Sequence, residues 1–78
     1  MQFTVYTRQG CAMCDRLIAE LRFLCRDRPV CIDVVDIESE SVLVDRYGER
    51  VPVVAVDGKE ICEFRLDPAR INRLLESG

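Results

Sequence analysis

The spacing of apolar residues changes period several times along the chain, and each change marks an element. Phe3-Thr4-Val5-Tyr6-Thr7 is rich in β-branched and aromatic residues and is bounded by Arg8-Gln9-Gly10, which predicts a first strand over 3–7. Over 14–26 the period becomes helical. Met13, Cys14, Leu17, Ile18, Leu21, Leu24 and Cys25 share one face, while Asp15, Arg16, Ala19, Arg22 and Arg26 take the other. Phe23 falls on the polar side, where it is expected to fold back onto neighbouring side chains, with a partner contact as the alternative. Asp27-Arg28-Pro29 closes this helix. A second strand is predicted over 30–37, and strand, helix, strand at this spacing implies a right-handed parallel βαβ unit. Ser39 is expected to cap a shorter helix with Glu40 in its first turn, Val42, Leu43 and Tyr47 facing inward and Gly48 as its stop. A third strand over 51–56 meets Asp57-Gly58, a strong hairpin turn, and 59–64 returns as the fourth. That turn sets Val56 opposite Lys59, Val54 opposite Ile61 and Val53 opposite Cys62. Asp67-Pro68, an N-cap followed by an N1 proline, starts a last helix carrying Ile71, Leu74 and Leu75. The order is βαβαββα, without repeats, linkers or low-complexity stretches, in one domain over 1–78.

Composition narrows the chemistry. At 78 residues the core is modest, about 60% of the unfolded surface being buried in chains of this size. Hydrophobic residues make up 49% and charges of both signs are interspersed, so the chain is expected to fold rather than remain disordered. A net charge of −3 without a basic run gives no case for nucleic acid. No apolar run approaches the ~20 residues that cross a bilayer. There is no histidine, which removes imidazole acid–base chemistry, Cys-His pairs and Cys₂His₂ zinc sites. Met1-Gln2-Phe3-Thr4 runs straight into a strand pattern, so no secretory signal is expected. Five cysteines, an odd number, then read as reduced cytoplasmic thiols.

Gly10-Cys11-Ala12-Met13-Cys14 carries the candidate chemistry. Cysteines at i and i+3 lie on one helical face, within reach of an intramolecular disulfide. At the start of a helix, free backbone N–H groups and the positive dipole end stabilise a thiolate on Cys11. Cys14, one turn in, faces protein and is the expected resolving thiol. The negative charge of Asp15 opposes the thiolate. Cys25 and Cys31 are expected in the core, and Cys62 to pack beside Val53 near Pro52, with a third redox thiol as the alternative. A metal site for zinc or an iron–sulfur cluster remains a competing reading, although one C-x-x-C supplies too few of four ligands unless two chains share it. A pure interaction module is the third.

Strand, C-x-x-C opening a helix, a βαβ unit, Val51-Pro52 starting a third strand and a hairpin together resemble the thioredoxin fold, and in size its glutaredoxin branch. Residues 6–15 and 47–53 resemble a family of small glutaredoxin-like proteins. The resemblance implies an α/β fold with a four-stranded mixed sheet in order 2-1-3-4, flanked by three helices. It implies a dithiol–disulfide oxidoreductase with Cys11 as nucleophile and Cys14 as resolving cysteine. Pro52 would be a cis-proline against the sulfurs, Val51 the residue whose backbone bonds an extended substrate, and Arg8 a cation favouring thiolate or a glutathione carboxylate. The partners implied are protein or small disulfides and a thioredoxin or glutathione reducing system, with no required cofactor, no nucleic acid and no membrane, the chain acting as a monomer in the cytoplasm. Ala12-Met13 replaces the common Pro-Tyr, Arg50 a common threonine, and Cys62-Glu63-Phe64 a Gly-Gly region that approaches glutathione closely. Bulky, anionic Glu63 counts against a glutathione site.

Overall fold

β1 (Gln2–Thr7) is the strand on which the others assemble. It is followed by α1 (Ala12–Leu24), β2 (Cys31–Asp36), a 3₁₀ turn (Ile37–Ser39), α2 (Ser41–Tyr47), β3 (Val53–Val56), β4 (Lys59–Glu63) and α3 (Pro68–Ser77). The computed structural model describes residues 1–77. β1 pairs parallel with β2 and antiparallel with β3, which pairs antiparallel with β4, giving the expected mixed sheet in order β2-β1-β3-β4 with three helices.

Side-chain alternation divides the core between the two faces of this sheet. Phe3, Val5, Val54 and Val56 pack with Leu17 and Leu21 of α1, Cys25 at its C-cap, and Ile71 and Leu75 of α3. Tyr6 and Val53 meet Ile37 of the 3₁₀ turn and Tyr47 of α2 on the opposite face. β3, covered on both sides, is buried along its whole length.

α1 starts at Ala12, two residues before the expected start at 14, because the Cys11 sulfur caps it and accepts the Cys14 N–H. It ends at Leu24, where the Cys25 N–H bonds the Leu21 carbonyl, the Arg26 N–H the Phe23 carbonyl, and the chain tightens into turns through Arg28. Met13 lies at the edge of the stripe and is 45% exposed, against the expected inward position. The Phe23 ring stays outside, with the Arg26 guanidinium 4.1 Å from its centroid. Cys25 is in the core as expected.

Cys31 is not. It pairs with Gln2 at the outer edge of the sheet, on the face that the 3₁₀ turn and α2 cover only around Tyr6 and Val53. Ser39 does not cap α2. Its hydroxyl donates to the Asp36 carbonyl inside the 3₁₀ turn, Glu40 stands at the N-cap, and α2 begins at Ser41. The later start turns Val42 outward and brings Val44 in with Leu43 and Tyr47.

The hairpin turn is as expected, with positive φ at Asp57 (49°) and Gly58 (88°), the pair that a tight two-residue turn requires. Val56 faces Lys59, but a bulge between Val54 and Ala55 then slips the register by one. Cys62 therefore faces Val54 and Glu63 faces Val53, where an unbroken ladder would have paired Val54 with Ile61 and Val53 with Cys62. β4 ends at Glu63, and Phe64 follows with φ of 67°.

Asp67 accepts the Arg70 N–H at 3.3 Å, so α3 has the cap its sequence announces. Asp67→Ala is expected to cost about 1 kcal/mol, read as a lower urea midpoint at an unchanged slope. An unaltered midpoint would show that Pro68 alone sets the helix start.

Candidate dithiol site

β1 delivers the chain to the end of the sheet at Thr7, and Gly10, at φ of 76°, turns it into α1. Cys11 follows with extended backbone as the N-cap. Its sulfur is half-buried and accepts the Cys14 N–H at 3.1 Å, in the first turn, where the unpaired N–H groups of a helix point. Charge developing on this sulfur is therefore met by a backbone donor. Cys14 is only 1% exposed. Burial pushes its thiol up from 9.0 to about 11, and its hydrogen bond to Cys11 adds to this. A bond with the Arg8 backbone acts in the opposite direction, and the charges of Cys11 and Asp15 raise it further. Both thiols are free. The helix start thus holds one accessible sulfur supplied with a donor and one sulfur kept protonated and covered.

Pro52 is fully buried at the entry to β3, and the Val51–Pro52 peptide is cis, as the resemblance implied. The Pro52 carbonyl accepts the Phe64 N–H at 2.8 Å. Among the described residues neither the N–H nor the C=O of Val51 has a backbone partner.

The cations near this end are engaged inside the chain. Arg8 donates to the Gly48 carbonyl at 3.0 Å and lies 4.0 Å from Glu38. Arg50, one residue before Val51, bonds Glu60 at 2.9 Å and Glu63 at 3.1 Å. It also reaches the Arg46 carbonyl and lies 5.4 Å from the centre of the Tyr47 ring. Tyr47 in turn stacks on Tyr6 at 4.1 Å. The structure brings Arg8 and Arg50 to one open pocket with Gly48 and Glu49. Glu63 therefore has a structural partner that a reading of single positions misses, since the pair forms only once the bulge has set the register.

Cys62 is half-buried, and its surroundings are those of α3. Burial raises its thiol, a bond with the Asp67 backbone and the Arg70 charge lower it, and the Asp67 charge raises it. The slipped register thus puts it opposite Val54, and not in the expected place beside Val53. Among the described residues no three His, Cys, Asp or Glu side chains gather as a metal site would require, and no helix is long and apolar enough to cross a membrane.

Comparison with known proteins agrees with this architecture. An uncharacterized protein of Mycobacterium tuberculosis is 31% identical over 75 residues, covering 90% of this chain and 77% of its own. A Nitrosomonas europaea protein solved by solution NMR superposes with a TM-score of 0.80 at 34% identity, over 95% of this chain and 89% of that one. NrdH-redoxin from Escherichia coli, a glutaredoxin-like protein, shares the fold with a TM-score of 0.63 at 23% identity, over 95% of each chain. Residues 2–76 match the model of the glutaredoxin-like domain (DUF836), and the chain belongs to that family.

Proposed function

We propose that the protein is a thiol–disulfide oxidoreductase working through Cys11 and Cys14. The observation that carries this reading is the asymmetry of the pair: Cys11 is accessible and hydrogen-bonded by the Cys14 N–H, whereas Cys14 is buried with its thiol raised to about 11. The Cys11 thiolate attacks one sulfur of a substrate disulfide, forming a mixed disulfide and releasing the other sulfur as a thiolate that takes up a proton. Cys14 then loses its proton and attacks the Cys11 sulfur. The Cys11–Cys14 disulfide forms, and the second substrate sulfur leaves as a thiol. Two electrons and two protons pass from the dithiol to the substrate, and the site needs no cofactor. An external thiol returns the pair to its reduced state.

Val51 offers its free N–H and C=O to the backbone of an extended protein substrate, in the manner of strand addition. Glutathione is the less favoured reductant, because its carboxylates would have to displace Glu38 from Arg8, or Glu60 and Glu63 from Arg50. A thioredoxin-type protein dithiol makes no such demand. Five cysteines, an odd number, suit a reducing compartment, the cytoplasm, and a monomer suffices for both steps.

After oxidation by a small disulfide, peptide mapping is expected to find Cys11 joined to Cys14, with Cys25, Cys31 and Cys62 still free. Preferential modification of exposed Cys31 would contradict the assignment.

A further inference from the structure

The two flanks of the dithiol differ in character. On the α2–β3 side, Arg8, Arg46 and Arg50 are all in ion pairs with the chain's own carboxylates. On the other side, the first turns of α1 face the segment between β4 and α3 across an open groove of about 320 Å³. Buried Leu17 and Leu66 form its floor, and Met13 and Phe64, 45% and 43% exposed, form its walls. Arg16 and Arg65 stand at the rim, and neither forms an ion pair among the described residues. Glu20 also lines the groove, one turn beyond Arg16. In a chain of net charge −3, two unpaired arginines beside two exposed apolar side chains are a local reversal of sign.

The chain ties this groove to the dithiol at two points. Met13 immediately precedes Cys14, and the Phe64 N–H holds the Pro52 carbonyl. Phe64 adopts φ of 67°, a region a bulky side chain occupies only at a cost, and it does so while leaving its ring in water.

We propose that this groove docks an extended acidic segment of a protein partner. One apolar side chain seats between Met13 and Phe64, and neighbouring carboxylates meet Arg16 and Arg65. Glu20 confines the acidic stretch to the end nearer the thiols. The open, shallow form fits a side chain on a peptide better than an enclosed small molecule. The proposal rests on the dithiol reading for its purpose, since it names the partner that the dithiol would meet.

Cysteine-free, fluorescein-labelled peptides separate the docking from the redox chemistry. Three carry a leucine between glutamates, a leucine between lysines, and a serine between glutamates. Anisotropy titrations at low salt are expected to show the leucine–glutamate peptide binding about tenfold tighter than either of the others. Combining Arg16→Glu and Arg65→Glu should reverse the charge preference, and Phe64→Ala should weaken binding without reversing it. Combining Arg22→Glu and Arg73→Glu, an equal change of net charge on exposed residues elsewhere, should preserve the preference. Equal binding of the three peptides would overturn the proposal. So would a preference that survives the Arg16 and Arg65 changes, or a self-association in sedimentation that Phe64→Ala dissolves. Failure of the Cys11–Cys14 disulfide to form is a separate result that removes the redox reading and leaves the peptide data standing.

Discussion

Cys14→Ser is expected to accumulate a mixed disulfide through Cys11, and Cys11→Ser to accumulate almost none. The attacking sulfur alone forms the intermediate, and in the serine variant no second thiol can release it. The geometry fixes the direction: Cys11 is the half-exposed sulfur with a backbone donor, and Cys14 lies under the surface with its proton held to about pH 11. Turnover on a disulfide that requires the resolving step should be lost in both variants, but for different reasons. Non-reducing mass spectrometry after exposure to the substrate distinguishes them. Accumulation on Cys14 in Cys11→Ser would exchange the two roles. The same adduct yield in both would mean that neither sulfur is preferred.

Leu21→Ala is expected to lower stability by about 2–5 kcal/mol, a large part of the roughly 5–15 kcal/mol that holds a small domain together. Leu21 is fully buried where α1 meets Phe3, Val5 and the α3 residues Ile71 and Leu75. Alanine favours the helix itself, so the loss reads out packing and cavity, uncomplicated by helix propensity. The effect bears on function, because Cys11 caps α1, Cys14 lies in its first turn, and this packing holds the helix against the sheet. Urea unfolding with an unchanged slope and a lower midpoint is the expected result. A loss under 1 kcal/mol would show that the interface repacks around alanine and that the thiols are positioned by something other than this contact.

The parts that local chemistry determines were legible in the sequence. Asp67-Pro68 and Asp57-Gly58 each specify a helix start and a hairpin turn within a few residues, and both occur as read. The strand-to-helix position of Cys11 and Cys14 follows from a change of period over a short stretch. What escaped depends on neighbours distant in the chain. The bulge at Val54 and Ala55 leaves no mark in a run of valines, yet it moves Cys62 toward α3 and puts Glu63 opposite Val53. Cys31 has the pattern of a core strand, and its exposure follows from β2 lying at the edge of the sheet. Val42 is turned outward because Ser39 satisfies its hydroxyl within the 3₁₀ turn, a competition between two short-range bonds that residue preferences do not decide. The groove beside the dithiol joins residues 13–20 to 64–66, and Phe64 carries a backbone conformation that its side chain does not announce.

The division of labour between the two thiols is tested most directly by alkylation rates followed residue by residue against pH. At neutral pH Cys11 should be consumed first and Cys14 far more slowly, with the Cys14 rate still climbing as pH approaches 11, because burial and the bond to Cys11 retain its proton. Exposed Cys31 serves as the reference thiol in the same chain. Cys14 reacting as fast as Cys11 at neutral pH, or Cys11 reacting no faster than Cys31, would contradict the assignment of nucleophile and resolving cysteine.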